Sequence, residues 1–65
     1  MKIERGNIVR IRRNCTIGRG KYAGKEGIVQ VVGYGPYEGM AILVDPANAQ
    51  INYHVPVKDC VKEGN

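Results

Sequence analysis

Ile8-Val9-Arg10-Ile11-Arg12 and, after a polar interval, Gly20-Lys21-Tyr22-Ala23-Gly24-Lys25-Glu26-Gly27-Ile28-Val29-Gln30-Val31-Val32 are the stretches that decide the fold. The first alternates, with Val9 and Ile11 on one face and Arg10 and Arg12 on the other, which is the period of a half-buried strand. The second is a glycine-punctuated turn that runs into β-branched residues, and such a run reads as another strand. Working outward, Ala41-Ile42-Leu43-Val44 is a short apolar run, and Ile51 to Val55 alternates around Asn52 and His54. A fifth strand is expected near Val61. Gly33-Tyr34-Gly35-Pro36-Tyr37-Glu38-Gly39 and Asp45-Pro46-Ala47-Asn48 separate these runs and are rich in turn residues. Val55-Pro56-Val57-Lys58-Asp59-Cys60 predicts one short 3-10 turn near the C-terminus, with Val57 and Val61 placed to plug a barrel end. No stretch carries a helical period of useful length. Several short strands in so short a chain favour a closed or nearly closed barrel, because closure hides strand edges that otherwise aggregate.

Sixty-five residues predict one domain, residues 1 to 65, with neither repeat nor linker. A chain of this size buries only about 60% of its unfolded surface. A pocket of roughly 300 Å³ or more would consume much of that core, which argues against catalysis by a single copy. The longest uninterrupted apolar stretch, Met40 to Val44, is too short for a signal peptide or a membrane span, so the expectation is a soluble cytoplasmic protein with no membrane partner. Cys15 and Cys60 lie 45 positions apart with only His54 to share a metal, which is no zinc signature. No metal or cofactor is expected. A disulfide between the first loop and the C-terminal end is geometrically possible, while the compartment favours a reduced pair of small thiols.

Charge is distributed unevenly. Eight of the ten basic residues, among them Arg10, Arg12, Arg13, Arg19, Lys21 and Lys25, stand in residues 1 to 25 against a single acid, Glu4. A local excess of this kind orients an anionic partner in a way that a uniform coat does not. The glycines at 20, 24 and 27 let the backbone turn sharply and approach a phosphate, and Tyr22 adds a flat ring for stacking on an unpaired base. Arg10, Arg12 and Arg13 serve equally as a solvated face that protects a strand edge. Tyr34 and Tyr37 flank Gly35-Pro36 either as lids over a barrel end or as an aromatic platform beside the basic loop. His54 lies on the polar side of its strand, with no nucleophile or carboxylate at a motif spacing. Gly24-Lys25 misses the phosphate-loop spacing and is followed by Glu26 rather than Ser or Thr.

The segment from Asn7 through Gly20-x-x-x-Gly24-x-x-Gly27-x-Val29 to Val32 resembles the KOW motif, over about residues 6 to 32. The resemblance implies a five-stranded SH3-like barrel and a binding role towards RNA or a protein of a nucleic-acid machine, as in ribosomal proteins and transcription factors. On it, Gly20, Gly24, Gly27, Val29 and Val32 carry the turn and the next strand, with Lys21 and Lys25 at the tip. The connection from Ile11 to Gly20 is about six residues longer than usual for the family, which implies a specialised first loop of the kind that protein-binding barrels use to grip a partner.

The leading expectation is therefore a non-enzymatic module that docks RNA or a ribonucleoprotein through Arg10, Arg12, Arg13, Arg19, Lys21, Tyr22 and Lys25. The alternative is an adaptor or structural subunit that binds an acidic protein. In that class, the photosystem I docking subunit has an opening strand similar to Arg5-Gly6-Asn7-Ile8-Val9-Arg10-Ile11. A third class is the type II dihydrofolate reductases, oligomeric barrels of similar length with a Gln-Ile pair in a late strand, which Gln50-Ile51 resembles.

Overall fold

The computed structural model describes residues 3 to 64. Five strands form one antiparallel sheet: β1 Ile8–Ile11, β2 Glu26–Tyr34, β3 Met40–Asp45, β4 Asn48–Pro56 and β5 Cys60–Gly64. Their order is β4-β3-β2-β1-β5. The protein is all-β and has the small SH3-like barrel architecture expected of the sequence, with a 3-10 turn, Val57–Asp59, between the last two strands. Among the described residues no helix is long and apolar enough to cross a membrane.

Alternation drives the inner layer. Val9 and Ile11 of β1 are fully buried, as are Ala41 and Leu43 of β3 and Val55 of β4, while Val29 of β2 is 1% exposed. Burying each such aliphatic side chain contributes about 1.5–3 kcal/mol relative to leaving it in water. Ile3, Cys15 and Tyr53 complete the core, and Ile17, Tyr22, Val57 and Cys60 pack against it. The register explains the placement. Val29 stands opposite Leu43, and Leu43 opposite Tyr53, so one row of inward residues crosses three strands.

β2 is longer than the expected Ile28–Val32, because its two ends serve different neighbours. Glu26 to Ile28 pair with β1, whereas Ile28 to Tyr34 pair with β3. Register shifts between Val29 and Val31 and between Val32 and Tyr34 bend the strand along its pairing with β3. β4 also starts early, at Asn48, because the connection from β3 is tight. The Asp45 Oδ1 accepts from the Ala47 and Asn48 amides at 2.8 and 3.2 Å, so the aspartate side chain itself forms the turn.

One expectation about the barrel end holds and one is corrected. The 3-10 turn near the C-terminus is Val57–Asp59; among the described residues two more, Ile17–Gly20 and Pro36–Glu38, occupy the two glycine-rich loops. Val57 packs against the core, but Val61 is 38% exposed and plugs nothing. The pairing of β5 with β1 places Val61 opposite outward Arg10 and Cys60 opposite inward Ile11, so the cysteine takes the inner position.

Candidate functional site

The first loop leaves β1 at Arg12 and returns to β2 at Glu26. Its neck is closed by backbone: the Ile11 amide donates to the Lys25 carbonyl at 2.8 Å, and the Gly24 amide donates to the Ile11 carbonyl at 2.9 Å. Gly24 reaches this position with φ +79, in the left-handed region that glycine occupies at little cost. Further along, the chain turns at Gly18, Arg19 and Gly20, all with positive φ. Arg19, at φ 60, is a non-glycine residue in a strained conformation, and strain of this kind concentrates at functional segments.

Gly27 has a different reason from the one the turn suggested. It is buried within β2, and a Cβ built on it would stand 2.7 Å from the Leu43 Cβ. Close packing under β3 demands glycine here.

The predicted basic residues separate into two groups. Arg10 is engaged: its Nε donates to the Glu63 Oε2 at 2.8 Å, its Nη1 donates to the Gly24 carbonyl at 2.9 Å, and its Nη2 lies 3.6 Å from the Glu26 Oε2. The Glu63 hydrogen bond holds the guanidinium above its ordinary pKa. Arg10 in turn holds the Glu63 carboxyl below the usual carboxylate range, while a hydrogen bond to Glu63 raises Glu26. Arg12 is engaged too: its Nε donates to the Lys58 carbonyl at 2.9 Å, and its amide donates to the Asp59 carbonyl at 2.7 Å. These two arginines tie β1 to β5 and to the turn that precedes it.

Arg13, Arg19 and Lys21 are exposed and have no ion-pair partner among the described residues. Lys21, Tyr22 and Lys25 do come together, and they do so against β4, which was expected as a strand but not as part of the site. They form a groove of about 370 Å³ with Ile51, Asn52 and Tyr53 of β4. The Tyr22 ring packs on Tyr53 with centroids 5.0 Å apart and planes at 57°. Tyr53 is fixed from behind by its hydroxyl, which donates to the Asp45 Oδ2 at 2.6 Å. That bond lowers the Asp45 carboxyl and pushes the Tyr53 phenol up to about 12. The nearby Lys25 charge also helps to lower Asp45. The clue in the sequence was the inward phase of Tyr53, which the alternation of β4 placed on the same side as Val55.

Tyr34 and Tyr37 lie elsewhere, and neither lines this groove. The Tyr34 hydroxyl is 2.9 Å from the His54 Nδ1, with the rings edge to face at 6.2 Å. Tyr37 is fully exposed and held at φ 61, next to Glu38 at φ 53. It borders a second, apolar groove of about 450 Å³ with Pro36, Met40, Pro56, Val57 and Lys58. Gln50 is exposed, and its amide is bonded to the Asn48 Oδ1 at 3.0 Å. Cys15 and Cys60 are free thiols. Desolvation raises both, Cys60 to about 11. Among the described residues no three His, Cys, Asp or Glu side chains gather as a metal site.

No protein-family model matches the chain, and comparison with curated proteins and with solved structures likewise returned no match.

Proposed function

We propose that the protein is a small nucleic-acid-binding barrel that docks RNA or a ribonucleoprotein or transcription complex in the cytoplasm. The observation that carries this reading is the groove lined by Lys21, Lys25 and the Tyr22 ring, with the buried Tyr53 packed behind Tyr22. Lysines neutralise phosphates without reading sequence, and tyrosine rings stack on unpaired bases. Exposed Arg13 and Arg19 extend the positive surface along the same loop. The KOW-like segment of residues 6 to 32 points to the same class of partner, and the binding role is non-enzymatic.

A salt titration of RNA binding tests it. Arg10 and Arg12 are occupied within the fold, so Arg13, Arg19, Lys21 and Lys25 are left to meet phosphate. Four contacts to a single strand give a slope of log affinity against log salt of roughly minus three. A flat response, or no retention on any nucleic acid at low salt, sinks the proposal.

A second reading has its own observation. The apolar groove beside Tyr37 offers an aromatic anchor of the type that dominates protein interfaces, with Lys58 on its rim for an acidic partner. Under that reading the chain is an adaptor, and its capture of a protein survives nuclease treatment.

A further inference from the structure

The groove between the first loop and β4 combines features that phosphate neutralisation alone does not require. Two lysines suffice for a phosphate, yet this site adds two aromatic rings, the aliphatic Ile51 and the amide of Asn52. We infer that the groove is a pocket for one unpaired nucleotide, with the phosphate on Lys21 and Lys25, the base against Tyr22 and Ile51, and the Asn52 amide at the base edge. This assignment rests on the nucleic-acid reading above and narrows it to single strands.

Size sets the first limit. At about 370 Å³ the groove lies near the small end of ligand sites, which suits one nucleotide and leaves no room for a duplex groove or a folded segment. Base accessibility sets the second. In a duplex the bases are stacked inward, so rings recessed in a concave site meet only an unstacked base. Rigidity supports the same reading: Tyr53 is locked by its 2.6 Å bond to Asp45 and packs on Tyr22, so the back wall is formed before any ligand arrives.

An acidic peptide fits these residues less well, because an acidic side chain has charge but no flat apolar face. A phosphotyrosine has both a ring and a charge but lacks a hydrogen-bonding edge. Asn52 is exposed and presents two N–H donors and one carbonyl acceptor, which match the edge of a base.

The test uses the intact chain with uridine monophosphate, phenyl phosphate, a single-stranded RNA oligomer and a blunt duplex of equal length, followed by amide chemical-shift mapping and affinity. The expected result is that the single strand binds about tenfold or more tightly than the duplex at matched salt. Uridine monophosphate shifts the amides of Lys21, Tyr22 and Ile51 to Tyr53. Asn52→Ala and Ile51→Ser, both at exposed positions, each weaken the single strand by roughly fivefold, the lower end of what one base contact supplies, and leave the salt slope unchanged. Equal binding of duplex and single strand, with neither variant changing affinity, overturns the pocket while the broader nucleic-acid reading stands. Shifts from uridine monophosphate without binding of any oligomer do the reverse. Phenyl phosphate binding as tightly as uridine monophosphate overturns the nucleotide assignment in favour of a modified peptide.

Discussion

Gly27 lies directly against Leu43: a methyl added to the glycine would stand 2.7 Å from the Leu43 Cβ and 3.2 Å from its Cδ1. Gly27→Ala is therefore expected to destabilise the fold by about 1–3 kcal/mol through overpacking. Leu43→Ala alone leaves a cavity and costs about 2–5 kcal/mol. The double variant should lose less than the sum of the two, because the new methyl occupies space that the leucine vacates. Urea unfolding of the four proteins measures the coupling, and strict additivity would refute the contact.

The two groups of basic residues should separate by experiment. Arg10→Gln removes the grip on Glu63 and Gly24, so it lowers the melting temperature and leaves RNA affinity nearly unchanged. Lys21→Ala does the opposite: the melting temperature holds, and the salt slope falls by about 0.7 for the lost phosphate contact. Thermal melts and salt titrations on both variants decide this.

Glu26 and Glu63 have opposite linkage to pH. Glu26 is raised above 4.5, so its contribution to stability is present below 4.5 and is lost as pH rises through the folded value. Glu63 is lowered, so its contribution is present above 4.5 and is lost as pH falls through its folded value. At neutral pH, Glu63→Gln should lower the melting temperature, whereas Glu26→Gln should leave it equal or higher. The Glu63→Gln deficit should close on acidification. A larger loss from Glu26→Gln at neutral pH would contradict the geometry.

The alkaline limit is set by Tyr53 and Cys60, raised to about 12 and about 11. Both favour the folded state below their ordinary values of 10.0 and 9.0, and both contributions fade as pH climbs through the raised values. Tyrosinate absorbance should show a late ionisation at about 12 that belongs to Tyr53. Tyr53→Phe should remove that late step and cost about 1 kcal/mol at neutral pH, as expected for one net hydrogen bond. Alkylation of the native thiols should be slow at neutral pH, since the thiolate is the reactive species.

Local pattern was enough to find the strands. The alternation of Ile8 to Ile11 foretold which side chains turn inward, and Lys21, Tyr22 and Lys25 were identifiable as neighbours because one short turn carries them. Non-local chemistry was hidden. Glu63 stands 53 positions from Arg10, and nothing near Arg10 in sequence announces that its charge is taken. The same holds for the groove wall at Ile51 to Tyr53, which meets the basic turn only after β2 and β3 have curled between them. Gly27 illustrates a subtler failure: its type signals a turn, but the constraint comes from Leu43 on another strand.

The closed neck at Ile11, Gly24 and Lys25 separates the architecture of the barrel from the content of its first loop. Ile17 and Tyr22 are anchored against the core, and the residues between them, Gly18 to Lys21, are exposed. Lengthening a flexible loop costs only about 0.6 kcal/mol per doubling. The span from Gly18 to Lys21 is thus a replaceable cassette, one in which a graft changes what the protein recognises while the five strands remain as they are.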